Sequence, residues 1–543
     1  MIGRQIVFRI RRFETYNKRF KTGWYSYLMV YIKGGLLVDG TGTLPTRNPG
    51  LIINRDKIYF ANGKQTENDE ITIDADGLVI APGFIDAHSH SDVRIIKNPS
   101  AENRILQGIT TEITGNCGFS PFPVTSKNED SLREEMDGVE LNWKNFVEYA
   151  TVVNKNRPAI NIAPLVGHGT LRSAVMGEVA RKPTNEEMDE MKRLLERNLK
   201  EGAFGLSSGL EYAPSGFADV EELSELCKVV AKMGRVYATH MRDEGDFLEK
   251  SIDESLAVSR KSGARLEISH LKSVKRANWG KGIKELTRLE KLAKKGKKIG
   301  WDAYPYNASS TSLTITIPKK LMDGGFDTML ERIKDQKVRN EAKEEMKKKR
   351  NEEDWRGIVV EDIQEPKISK YNHSNILDIS RDMNETCEET VFNLLEKNQK
   401  DITIIAHTMD DLDVDVIMSH PLTAIGSDSS VYVRGTVHPR AFGTFPRVFK
   451  KYVKELNFCT VQGMVQKASS LSADRFGIES RGYIRDGYYA DIVIFDPNTY
   501  EDKNSFEFPT TFPNGVEYLF VNGIMEVSGG RITGARGGMV LKK

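Results

Sequence analysis

Eight short apolar runs, each followed by a stretch with helical patterning, leave few folds open to the middle of this chain. They are Val79–Ala87, Ile109–Thr114, Ile160–Val166, Phe204–Ser207, Val236–Thr239, Arg265–Ser269, Ile299–Tyr304 and Leu422–Gly426. Strands alternating with helices read as parallel βα units, and eight of them predict an α/β fold, a TIM-type (β/α)8 barrel. The stretch before the fourth run shows how a helix is specified. Thr184 with Glu187 forms a capping box, Met188, Met191, Leu195 and Leu199 recur on one face, and Gly202 ends the pattern. The methionines there are read as packing.

The two ends are patterned differently. Val30–Ile32, Leu51–Asn54, Lys57–Phe60 and Ile71–Ile73 are short β-rich runs between glycine turns, and Tyr483–Ile484, Ala490–Phe495 and Tyr518–Val521 repeat the style near the other end, with Asn522-Gly523 as a hairpin turn. They predict a small β-sandwich built from both termini, over 29–78 and 479–543, beside a barrel over 79–478. After the seventh run the alternation breaks for over a hundred residues. Between Lys334 and Arg356, sixteen of twenty-three residues are charged, which predicts a solvated, α-rich insertion over the barrel mouth at about 311–400. Residues 1–28 carry seven basic side chains against one acid, Glu14. They read as a basic extension outside the mature fold, with Met29 as its start.

A chain of 543 residues can bury a large core. Its 78 Lys and Arg nearly cancel its 77 Asp and Glu, so no global field recruits nucleic acid or an anionic membrane; a small-molecule partner fits better. Cys117, Cys227, Cys387 and Cys459 form no CxxC pair, which argues against a disulfide framework and for a reducing compartment. No apolar run approaches the ~18 residues of a membrane span. The expectation is a cytoplasmic protein.

The residues able to do chemistry fall at the ends of the predicted strands, where a barrel of this kind collects its active site. His88 and His90 close the first run, and residues two apart on a strand face the same way, a metal-ligand spacing. Cys117 follows the second, His240 ends the fifth, His270 ends the sixth, and Asp428 follows the eighth. His240 and His270 are thirty residues apart, about one βα unit, so they occupy neighbouring strand ends. A cysteine and two histidines with a position left open make a catalytic rather than a structural zinc set. Such a metal lowers the pKa of water and polarises a carbonyl, and Asp428 beside it can accept a proton and deliver it to a departing nitrogen.

The chain resembles the amidohydrolase superfamily, and within it the N-acyl-D-amino-acid deacylases (D-aminoacylases), from about Val30 onward. The resemblance rests on Gly83-Phe84-Ile85-Asp86-Ala87-His88-Ser89-His90-Ser91-Asp92, Gly115-Asn116-Cys117-Gly118-Phe119-Ser120-Pro121, Gly167-His168-Gly169-Thr170-Leu171-Arg172, Thr239-His240-Met241-Arg242-Asp243-Glu244, Ser269-His270-Leu271-Lys272 and His438-Pro439-Arg440. Many members of the superfamily bridge two metals through a carbamylated lysine at the fourth strand. Here that end reads Gly205-Leu206-Ser207-Ser208-Gly209-Leu210, without lysine; in the deacylases a cysteine of the second strand substitutes, and Cys117 matches it.

The resemblance implies one tight Zn2+ on Cys117, His240 and His270, and a second, weaker site on His88 and His90. It also implies Asp428 as the catalytic acid/base, with Lys272, Arg440, Tyr212 and Ser310 receiving the substrate carboxylate. The expected reaction is hydrolysis of N-acyl-D-amino acids to a carboxylate and a free D-amino acid. Two other readings compete: a cyclic amidohydrolase of the dihydropyrimidinase or hydantoinase kind, against which Cys117 and the missing lysine argue, and a catalytically silent scaffold, which would have little reason to keep all six candidate residues. His168 carries no assigned role and reads as a structural histidine.

Overall fold

The computed structural model describes residues 29–61, 71–432 and 437–543; the basic extension expected at 1–28 lies outside them. All eight apolar runs contain strands. They are Phe84–Asp86, Ile109–Thr114, Asn161–Pro164 continued by Val166–Gly167, Gly205–Gly209, Val236–His240, Arg265–Ile268, Ile299–Ala303 and Thr423–Ile425. Their pairings are parallel throughout, the first three strands in one sheet and the rest, from Val166–Gly167 to Thr423–Ile425, in a second of six. Side chains of the second strand are buried at every position, as expected of parallel strands covered on both faces.

The longer helices between strands, such as Asn185–Glu201 and Val220–Lys232, bury one side each. Asn185–Glu201 starts at the Thr184–Glu187 capping box, buries Met191, Leu194, Leu195 and Leu199, and stops at Gly202, whose φ of +130° suits glycine. Met188 lies at the edge of the stripe, only partly buried.

The first apolar run divides. Val79–Pro82 pairs antiparallel with Ile492–Phe495 and parallel with Leu36–Leu37, in a seven-stranded sheet formed mostly by the two ends of the chain. Only Phe84–Asp86 pairs with Ile109–Thr114. Gly83 sits at the junction, where its N–H donates to the Asp491 carbonyl at 2.8 Å. A four-stranded sheet of Val30–Lys33, Leu51–Asn54, Lys57–Phe60 and Ile71–Asp74 shares a core with this larger one, through Ile32, Leu51, Ile53, Ile58, Ile492 and Phe520.

Beyond the seventh strand, Ser309–Ser312, Ile358–Glu361 and Thr403–Ala406 form a small antiparallel sheet. Helices Gln336–Lys349 and Cys387–Asn398 belong to the same region, whose own core includes Trp355, Val391, Phe392 and Ile404. Most of Gln336–Lys349 faces solvent, yet Arg339, Ala342 and Met346 are buried. Arg339 pairs with Glu389 and Glu396 at 2.8 and 2.9 Å, so the charged run supplies part of an interior as well as a wet face.

Candidate metal centre at the strand ends

His88, Cys117, His270 and Asp428 come from four separate strand ends, and each offers a ligand atom within 4.8 Å of the others. Cys117 Sγ lies 3.3 Å from His88 Nε2 and 3.5 Å from His270 Nε2. Asp428 Oδ1 is 3.5 Å from His88 Nε2 and 3.0 Å from His90 Nε2, so the two residues of the His-x-His pair aim the same ring nitrogen at one carboxylate. His240 stands beside His270, ring centroids 4.5 Å apart, and forms a second cluster with Glu244 and His270.

The backbone is shaped to allow this. Cys117, His270 and Asp428 have φ of 52°, 35° and 49°, a left-handed region that non-glycine residues enter at a cost of order 1 kcal/mol. Such outliers persist only where the surroundings enforce them. The Asp428 N–H donates to the His88 carbonyl at 2.8 Å, and the His270 N–H donates to Asp302 Oδ1 at 2.9 Å. Gly426 keeps the ring of strand ends tight: a Cβ there would lie 2.7 Å from that of His88 and 2.8 Å from Asp302 Oδ1.

Charge at the centre is strongly coupled. Burial favours the neutral thiol of Cys117, but His88, His240 and His270 outweigh it and hold the group well below the usual thiol range. Burial likewise opposes charge on His88, yet Asp302 and Cys117 hold that imidazole well above its ordinary value. His90, against its own desolvation, is pushed up to about 9 by Asp428 and Cys117. His240 is pushed up to about 10 in spite of burial, through Glu244, Cys117 and Glu211. Burial would raise Asp428, but Arg440, His270 and the His-x-His pair hold it well below the usual carboxylate range. A thiolate and carboxylates thus draw positive charge into a buried space. Neutral imidazoles plus a divalent cation satisfy the same pull, and a thiolate with imidazoles is a donor set suited to zinc. Nδ1 of His240 and Nδ1 of His88 are buried without a hydrogen-bond partner.

The four residues expected to meet a substrate carboxylate are all nearby, with partners of their own. Lys272 Nζ is 2.8 Å from Glu244 Oε2 and donates to the His270 carbonyl at 3.1 Å. Arg440 Nη1 lies 2.9 Å from Asp428 Oδ2, and its Nη2 donates to the Ser310 carbonyl at 3.2 Å. Both cations lie over the Tyr304 ring, at 5.7 and 4.8 Å. Tyr212 packs edge-on to the His240 ring at 4.8 Å, its hydroxyl 2.9 Å from Thr311 Oγ1. His168 stands apart, with Nδ1 2.8 Å from Ser215 Oγ and Nε2 3.1 Å from Glu222 Oε1.

Three carboxylates escaped sequence reasoning. Glu244 Oε1 lies 2.9 Å from His270 Nδ1, a nitrogen also 2.7 Å from Lys272 Nζ; burial would raise the carboxyl, but Lys272, His270 and His240 bring it down to about 2. Asp302 Oδ1 sits 3.5 Å from His88 Nδ1, and Glu211 Oε2 lies 3.0 Å from His240 Nε2. Glu244 follows His240 by four residues and Asp302 lies within the seventh run, signals of position but not of function.

The amidohydrolase family model matches residues 72–524. D-aminoacylase of Alcaligenes xylosoxydans xylosoxydans is 32% identical over 520 residues, covering 94% of this chain and 97% of that protein. A solved structure of D-aminoacylase, described by a binuclear metal centre with one-metal activation and second-metal attenuation, superposes with a TM-score of 0.79 at 30% identity over 95% of this chain and 99% of that one. N-acyl-D-glutamate deacylase from Bordetella bronchiseptica, complexed with zinc and a phosphonate inhibitor that mimics the tetrahedral intermediate, gives 0.79 at 29% identity over 95% and 100%. The mixed α/β architecture is therefore of the TIM-barrel type these proteins share, and the chain belongs to the amidohydrolase family.

Proposed function

We propose that this protein is a zinc-dependent hydrolase that cleaves the amide bond of N-acyl-D-amino acids, giving a carboxylate and a free D-amino acid. The observation that carries the reading is the convergence of Cys117, His88, His270 and Asp428 within 4.8 Å, in a chain 32% identical to a D-aminoacylase along 94% of its length. In this reading Cys117, His240 and His270 hold one tight zinc, and His88 and His90 a weaker one beside the shared thiolate. When bound, the metal lowers the pKa of water and polarises the acyl carbonyl.

The chain's own residues do the rest. Asp428 Oδ1, on the side facing the His-x-His pair, takes a proton from the attacking water and passes it to the leaving nitrogen as the carbon–nitrogen bond breaks. Arg440 and Lys272, with Tyr212 and Ser310, receive the substrate carboxylate, which fixes the amide relative to Asp428. The two parallel sheets are taken as one closed eight-stranded barrel. Supporting this, the Ala87 N–H donates to the Ile425 carbonyl at 3.0 Å and Ser89 bridges to Ser429, joining the first strand end to the last. The terminal sheets with their common core are taken as a sandwich, and the region around 311–400 as an insertion over the mouth.

A panel of N-acetylated D- and L-amino acids, with hydantoins alongside, assayed on zinc-replete protein tests the proposal. Turnover of the D-amides alone is expected. Turnover of hydantoins in preference to linear amides would overturn the reading in favour of a cyclic amidase, and no turnover with zinc absent after dialysis in favour of a scaffold.

A further inference from the structure

Of the histidines around Cys117, His270 and His240 are held by opposite nitrogens. His270 directs Nε2 at the Cys117 sulfur, 3.5 Å away, while its Nδ1 meets the Glu244 carboxylate at 2.9 Å. His240 is turned around: its Nε2 lies 3.0 Å from Glu211 Oε2, and its Nδ1 is buried with no partner. A metal-binding histidine commonly gives its second ring nitrogen to a carboxylate, which fixes ring orientation and tautomer and raises the basicity of the ligating nitrogen. Glu244 stands in that position to His270. We propose that Glu211 stands in it to His240, as a positioning residue that fixes Nε2–H and aims Nδ1 into the metal centre. The inference rests on the zinc-site reading above and adds to it a residue just past the fourth strand, the strand that lacks a lysine.

The surroundings of Glu211 are those of a fixed support. It follows Gly205–Gly209 by two residues, and this strand end is pressed against the cysteine loop: a Cβ on Gly209 would lie 2.0 Å from the Cys117 carbonyl oxygen. The Leu210 N–H donates to the His240 carbonyl at 2.9 Å, which joins the fourth and fifth strand ends. The Leu210 carbonyl accepts from Lys319 Nζ, which ties the turn to the region beyond the seventh strand. Tyr212, next in sequence, lies edge-on to the same imidazole. The Glu211 side chain is 30% exposed while that of His240 is 6% exposed, so substituting the acid changes the support of the ring more than the packing of the core.

The test is zinc affinity by chelator competition on the full chain, for the parent protein, Glu211→Ala, Glu211→Gln and Cys117→Ala, with a crystal structure of the zinc-loaded parent. Glu211→Ala is expected to weaken zinc about 10- to 100-fold. Glu211→Gln should recover most of that loss, because its amide oxygen still accepts from Nε2–H, and the crystal should show zinc on Nδ1. The proposal is overturned if Glu211→Ala binds zinc as tightly as the parent while Cys117→Ala does not, or if the crystal shows zinc on Nε2 or on Glu211 itself. Unchanged zinc in Cys117→Ala would instead remove the parent reading of the site. Should Glu211→Ala fail to fold, the glutamine variant and the ligating nitrogen seen in the crystal still decide the matter.

Discussion

Two buried clusters of histidine and carboxylate lie at the strand ends, and they are built on opposite principles. At His168 both ring nitrogens are engaged, by Ser215 and Glu222, and Arg172 Nη1 donates to both oxygens of Glu222 at 2.6 and 2.5 Å. Burial would raise the Glu222 carboxyl, but His168 and Arg172 hold it below the usual range. There both nitrogens of the imidazole and both oxygens of the carboxylate face partners inside the cluster, and only Nε of Arg172 is without one. At Cys117 the donors instead crowd one point, Nδ1 of His240 is left over, and three residues take up unfavourable backbone to be present. A buried histidine alone therefore separates nothing; what distinguishes a binding centre is surplus capacity aimed at a common place.

The comparison can be broken most sharply at the sulfur. Cys117→Ala is expected to lose the tight zinc and with it turnover, read by metal analysis after dialysis; full zinc occupancy would make the two clusters equivalent. Asp428→Ala should keep that zinc while kcat falls by about 10²- to 10⁴-fold, the usual reach of a general acid/base; turnover within tenfold of the parent would take the proton transfer away from Asp428.

The other cluster should answer in stability alone. Arg172→Met leaves Glu222 buried without its cation, an expected loss of about 3–5 kcal/mol in urea unfolding, largely reversed when Glu222 is also made Leu. Zinc stoichiometry of the folded fraction should not change.

Proton linkage provides a subtler contrast. His90 and His240 hold protons up to about pH 9 and about pH 10 in the metal-free protein. The tight zinc needs the His240 ring neutral and the weaker one the His90 ring, so each affinity should rise as pH climbs toward that range and fall below it, about tenfold per unit for each proton displaced. Competition titrations between pH 6 and 9 read the slope; a flat profile counts against these rings as ligands. The smallest effect is expected for His168→Gln, about 1 kcal/mol of stability for one hydrogen bond of two, with zinc binding intact.

Much of this was legible in the chain. Apolar runs of four to nine residues bounded by helix signals marked all eight parallel strands, because burial on both faces leaves no room for polar alternation. The positions of His88, Cys117, His240, His270 and Asp428 could be read as strand ends for the same reason. What could not be read was pairing: Val79–Pro82 is as apolar as Phe84–Asp86, and only the tertiary structure sends it to the sheet of the chain ends. Glu211, Glu244 and Asp302 stayed hidden because carboxylates are common, and their meaning depends on which nitrogen of which ring they face. The Lys334–Arg356 run was read as a wet surface, but Arg339, Ala342, Met346 and Trp355 are buried in it; a charge count averages over the stripe that a helix turns inward.

The left-handed trio of Cys117, His270 and Asp428 also bears on how this protein should be engineered. Glycine occupies that backbone without penalty, so a campaign that screens variants for heat tolerance alone has nothing to defend these three residues against it. Its winners could be sturdier and inert, and every round of such a screen needs a functional gate.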